Sequence, residues 1–101
     1  MKKESKFLPI GTVVLLKNAT KEIMINAYCV FSSKSNTKKI YEYGACLYPE
    51  GILDSNNIFA FNHDEIEKIL YLGYSNDKQK DFSNKMNANY EQYKQKFESN
   101  K

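Results

Sequence analysis

The side chains able to do chemistry are few. His63 is the single imidazole among 101 residues, and Cys29 and Cys46 are the two thiols. A histidine acts as a general base only with a nucleophile or a substrate proton in reach. His63 sits in Phe61-Asn62-His63-Asp64-Glu65-Ile66, at what reads as the first residue of a helix. Its ring there neighbours backbone N–H groups and Asp64, and it serves the helix end rather than proton transfer. The serines lack the Gly-x-Ser-x-Gly elbow of acyl transfer. Glu50 and Asp54 lie in turn sequence, where paired carboxylates are solvated, and an anion site built on His63 with Glu50 is the weakest reading. Gly11-Thr12 opens a strand and is no phosphate loop. The two cysteines lie inside apolar segments without Cys-x-x-Cys spacing, so they read as buried free thiols rather than a disulfide or redox pair. One His and two isolated Cys make no zinc site. The residues therefore describe no enzyme, no cofactor and no metal.

Binding is what remains, and composition narrows it. Hydrophobic residues make up 42%, with eight Tyr and six Phe, which is the composition of a folded chain. The length fits one domain with a modest core. The formal charge is +3, and all fifteen basic residues are Lys. Nucleic-acid readers depend on the planar arginine fork, so the absence of Arg argues against nucleic acid as partner. No apolar run approaches the roughly 20 residues that span a bilayer. The stretch MKKESKFLPIG has no apolar segment before Pro9, unlike a secretory signal. The expected compartment is the cytoplasm.

Any binding surface must be held by the elements the pattern predicts. Residues 1–7 form a polar lead, expected to fray. The β-branched run at 12–16 predicts a first strand, buried on both faces. A tight connection, Asn18-Ala19-Thr20-Lys21, leads to a second strand at 23–31, paired as a hairpin. The polar loop SSKSNTKK at 32–39 reads as a solvated hairpin tip, although Lys34, Lys38 and Lys39 could meet an anion. A third strand follows at 40–48, with Tyr41 and Tyr43 on one face and Glu42 with Gly44 on the other. Tyr48-Pro49-Glu50-Gly51 reads as a type I turn. A polar loop at 52–57 precedes a short fourth strand at 58–61. Asn62 as cap, Glu65 three residues on, and Phe61 with Ile66 as a staple predict a short helix starting at His63. A fifth strand is expected at 69–73.

From Ser75 the character changes. Phe82, Met86, Tyr90, Tyr93 and Phe97 recur at helical spacing among polar residues, which predicts a helix over 77–97, about 30 Å long. Its first turns, near Phe82 and Met86, are expected on the sheet. Its second half, Tyr90, Tyr93 and Phe97, is expected to be free for a protein partner. The fold class is α+β: a small antiparallel sheet or partly closed barrel of about five strands, one short helix and a long C-terminal amphipathic helix. The expected divisions are a lead at 1–7, an α+β domain at 8–74 and the helix at 75–101.

Three stretches, Leu8-Pro9-Ile10-Gly11-Thr12-Val13-Val14-Leu15-Leu16-Lys17, Tyr48-Pro49-Glu50-Gly51, and Phe61-Asn62-His63-Asp64-Glu65-Ile66 with Gly73-Tyr74, occur in an order that resembles a family of small bacterial domains of unknown function. The resemblance covers residues 7–74. One departure is Asn26-Ala27, where the family commonly has a Gly. The family is encoded in Firmicutes beside type VII secretion genes and LXG polymorphic toxins. The resemblance implies a cytosolic accessory of toxin export, an adaptor or chaperone-like protein whose partner is a secreted toxin or another export component. The alternative it leaves open is an immunity protein that neutralises a neighbouring toxin, although an evenly spread +3 charge gives no strong field to oppose a toxin cleft. A homo-oligomer is also open. It implies no catalytic residue.

Overall fold

A computed structural model of the chain describes residues 7–32, 39–54 and 58–99. Five strands form one antiparallel sheet: β1 (Val13–Leu16), β2 (Ile23–Ser32), β3 (Lys39–Leu47), β4 (Phe59–Phe61) and β5 (Ile66–Tyr71). One turn of 3-10 helix, His63–Glu65, precedes β5, and α1 (Asp77–Ser99) follows it. The strand order is β4-β3-β2-β1-β5. The sheet is open, with β4 and β5 as its edges, so the fold is α+β and the barrel alternative is not realised.

Local chemistry sets the connections. Asn18 takes a left-handed backbone, φ 64°, which Asn tolerates better than most residues, and this tightens the β1–β2 link. The β2–β3 ladder runs from Ile23 opposite Leu47 to Ser32 opposite Lys39. It has one register shift and one residue of unusual backbone. Asn26 is an extra residue between the Ile25–Ala45 and Ala27–Gly44 pairs, and Cys29 has φ 54°. A bulge re-aims the side chains that follow it. Ile40 and Tyr43, of opposite parity along β3, belong to one core cluster. Glu42, between them, is only 6% exposed, so the face it was expected to turn away from the tyrosines is covered as well.

Two further expectations are corrected. The Tyr48–Pro49 bond is cis, and the turn closes from the Gly51 N–H to the Leu47 carbonyl at 2.8 Å. The loop therefore spans Leu47 to Gly51, one residue more than a type I turn. The helix expected at His63 lasts a single 3-10 turn. Glu65 Oε2 accepts the Asn62 N–H at 2.9 Å, as a capping box requires. Ile66, however, is already extended, φ −77° and ψ 123°, because it pairs with Leu16 of β1. Sheet pairing of the β-branched residues overrides the helix signal, and β5 begins three residues earlier than the pattern predicts.

The core forms between the sheet and α1. Phe7, expected in the fraying lead, lies at its centre, with ring centroids 5.7 Å from those of Tyr28, Tyr43 and Tyr90. Asn76 caps α1 by accepting the Gln79 N–H at 2.9 Å. Hydrogen bonds then tie the helix down: Ser83 Oγ donates to the Phe7 carbonyl at 2.6 Å, the Tyr90 hydroxyl donates to the Ile40 carbonyl at 3.1 Å, and the Ile40 N–H donates to Glu98 Oε2 at 3.3 Å. Cys46 is a buried free thiol, and Cys29 is a free thiol only partly buried, so the expectation of two buried thiols is met by Cys46 alone.

Candidate functional site

The titratable groups that meet in space are not the pair singled out above. Glu50 lies with Lys21 instead: its carboxylate pairs with Lys21 Nζ at 2.9 Å, and that hydrogen bond holds it below the usual carboxylate range. His63 instead joins Glu42 and Tyr43. Its backbone N–H donates to Glu42 Oε1 at 2.7 Å, and Nδ1 lies 2.8 Å from the Tyr43 hydroxyl. Asn62 adds a bond from its side-chain oxygen to the Glu42 N–H at 3.0 Å. Burial pushes the Tyr43 phenol well above its ordinary pKa, with the Glu42 charge adding to the rise and the Leu8 N–H opposing it.

A phenol held neutral in this way is a poor base near neutral pH. These bonds fasten the 3-10 turn to β3. Beside them, Asp64, Tyr90, Glu91 and Lys94 line a small cleft of about 340 Å³. Among the described residues no group of three or more His, Cys, Asp or Glu could hold a metal.

The residues expected to bind a partner are separated by the fold. Tyr90 is 3% exposed and belongs to the chain's own core. Tyr93 is 50% exposed and faces solvent. The side chain of Phe97 lies outside the described residues, as do Lys34 and Lys38 of the hairpin tip. At the other end of α1, Phe82 is partly open, packing one ring face near Tyr28 at 5.6 Å. Burial therefore does not divide the stripe into a packed first half and a free second half. The middle of the helix is packed, and both Phe82 and Tyr93 are accessible.

A run of exposed apolar side chains lies where the sequence suggested only a strand. Ile69, Leu70, Tyr71, Leu72 and Tyr74 are all exposed, Tyr71 at 66% and Tyr74 at 79%. They follow one another along edge strand β5 and the link into α1. The signal was present as the run ILYLGY. Its exposure depends on β5 being an edge, which strand order decides and local pattern does not. Gly73 interrupts the run because backbone passes close by: a Cβ there would lie 2.4 Å from the Ile10 carbonyl oxygen.

Comparison with known proteins adds one match. No curated protein and no solved structure matches the chain. A family model described as a domain of unknown function, DUF4176, matches residues 7–82. The matched span holds the core residue Phe7, all five strands and the start of α1 through Phe82, reaching further into the helix than the motifs suggested. The chain belongs to the DUF4176 family of domains of unknown function.

Proposed function

We propose that the chain is a non-enzymatic protein-binding accessory, an adaptor or chaperone-like partner of a toxin exported by type VII secretion. The observation that carries the binding role is the run of exposed apolar side chains Leu70 and Tyr71 at the end of edge strand β5 and Leu72 and Tyr74 in the link that follows it. A small monomer gains from burying such side chains, on the order of 1.5–3 kcal/mol for each large one. Several large apolar side chains left exposed so close together in the chain support an interaction site. The toxin context rests on the resemblance of the chain's motifs to a family encoded in Firmicutes beside LXG toxin genes.

Co-expression with the toxin encoded beside the gene, followed by affinity purification, tests the reading. The toxin is expected to co-purify with the native chain and to be lost from a Tyr71→Ser, Leu72→Ser double variant that retains its fold. Absence of the toxin from the native eluate sinks the adaptor role. Deleting the gene separates the immunity alternative: sensitisation to the toxin with secretion intact assigns protection, whereas loss of toxin export assigns the accessory role.

A further inference from the structure

A second apolar feature lies around the corner from the β5 surface, and its geometry is more specific. β1 pairs with β2 only at its start, Val13 opposite Met24 and Val14 opposite Ile23. The Gly11 N–H donates to the Ile25 carbonyl and the Ile25 N–H donates to the Thr12 carbonyl, which extends this contact to Ile25. From the Asn26 bulge onward, no strand among the described residues pairs with β2 on that side. In place of a strand there is an open groove of about 630 Å³, bounded by Ala27 and Tyr28 on β2, by Ile10 and Tyr74, and by Lys78 and Phe82 on the first turns of α1.

The groove is preformed. The Tyr28 hydroxyl donates to the Leu8 carbonyl. The Tyr28 ring stands edge-on to Phe7, with 81° between the planes, and Phe82 lies against it. A rigid aromatic wall lowers the ordering cost of binding. The charge is one-sided. Among the described residues that line the groove Lys78 is the one charged side chain, and its acidic helix neighbours Asp77 and Asp81 are not part of the lining. Cys29, with its left-handed backbone, ends the regular edge soon after Tyr28, so strand-to-strand pairing here is short and the aromatic side chains supply most of the contact.

We propose that this groove takes an extended segment of a protein partner that carries acidic and apolar residues, laid beside Ala27 and Tyr28 with its acid on Lys78 and its apolar side chain between Tyr74 and Phe82. A strand edge at the floor favours an extended chain, as in strand addition. An unopposed lysine favours an acid. The proposal rests on the protein-binding reading above and names the chemistry of one of its contacts.

Selection of phage-displayed random peptides on the intact chain tests it. Enriched sequences are expected to combine Asp or Glu with apolar residues, and their binding is expected to slow amide exchange at Ala27 and Tyr28. Lys78→Glu and Phe82→Ser, both at accessible positions, are expected to weaken the enriched peptides by about tenfold or more. Lys78→Glu carries the test should Phe82→Ser unfold the chain. No enrichment, enrichment independent of acid, or binding unchanged in Lys78→Glu overturns the proposal. A native dimer that Phe82→Ser dissociates also overturns it, by giving the groove to a second copy. The two readings fail separately. Toxin that co-purifies equally with native chain and Lys78→Glu keeps the accessory role and removes the groove; acidic peptides bound without any toxin co-purification keep the groove and remove the toxin.

Discussion

Gly73 and Thr12, 61 residues apart, are joined by a buried hydrogen bond: the Gly73 N–H donates to Thr12 Oγ1 at 3.0 Å. The threonine hydroxyl in turn donates to the Pro9 carbonyl at 2.7 Å. One side chain thereby ties the lead-in segment, the start of β1 and the link between β5 and α1. It sets the direction in which the chain leaves the sheet and so places Tyr74 and Phe82 beside the groove.

Replacing either residue is expected to destabilise the fold. Gly73→Ala brings a methyl group to 2.4 Å from the Ile10 carbonyl oxygen and 2.9 Å from the Thr12 nitrogen. Both neighbours are backbone, so the segment must shift, at a cost of about 1–3 kcal/mol. Thr12→Val keeps the shape and removes the acceptor of the Gly73 N–H, costing about 1–3 kcal/mol for the lost buried bond. Urea unfolding measures both; a midpoint unchanged in Gly73→Ala would show that the close approach is not as drawn.

Truncation after Asn89 is expected to unfold or aggregate the chain rather than release a free domain. It removes Tyr90, which fills the core beside Phe7 and bonds to Ile40. Loss of a buried aromatic side chain costs about 3–5 kcal/mol, a large part of the stability of a small domain. Tyr90→Phe keeps the ring and loses the bond, for about 1 kcal/mol. Tyr93→Ala, at an exposed position, should change the thermal midpoint little. A shortened chain with a native circular dichroism spectrum and cooperative melting would contradict the placement of Tyr90.

These outcomes show which parts of the fold were legible in sequence. Each of the five strands has a local signature in β-branched runs and turn residues, and the helical stripe marks α1. The readings that failed depend on distant partners. Tyr90 and Tyr93 belong to the same stripe, and only the position of β3 beneath the helix decides that one is core and the other is solvent-facing. Glu42 pairs with His63 because a bulge and a left-handed Cys29 re-aim the ladder, and neither residue announces that in its type. The exposed ILYLGY run and the open side of β2 follow from strand order, which no local pattern encodes.

Alkaline pH is expected to destabilise the protein through its phenols. Burial raises Tyr43 and Tyr90 far above an ordinary phenol, aided by the charge of Glu42, and raises Tyr28 by a lesser amount against a bond from Gln79. A folded chain that holds these protons more tightly than the unfolded chain keeps that stability below the ordinary value of 10.0 and loses it as pH rises beyond it. With no Trp to interfere, phenolate absorbance follows the eight tyrosines directly. Tyr43 and Tyr90 should ionise only as the circular dichroism signal is lost. A single smooth titration of all eight with the fold intact would refute the burial of these two rings.

The last prediction concerns the peptide group of Leu8, which two phenols hold from either side. The Leu8 N–H donates to the Tyr43 hydroxyl at 3.0 Å, and the Tyr28 hydroxyl donates to the Leu8 carbonyl. Having accepted from Leu8, Tyr43 can donate its own proton to His63 Nδ1, 2.8 Å away, when the ring proton is on Nε2. This clamp fixes Phe7 in the core and leaves the Tyr28 ring as the wall of the groove. Tyr43→Phe is expected to cost about 1–3 kcal/mol and Tyr28→Phe about 1 kcal/mol. Because both act on one residue, the double variant should depart from the sum of the single effects by about 0.5 kcal/mol or more. Amide exchange at Leu8 should speed up in Tyr43→Phe, which removes the acceptor of that N–H, and less in Tyr28→Phe. Strictly additive effects with unchanged exchange at Leu8 would mean that the phenols act only as packing, and that the lead-in segment is held by Thr12 and Ser83 alone.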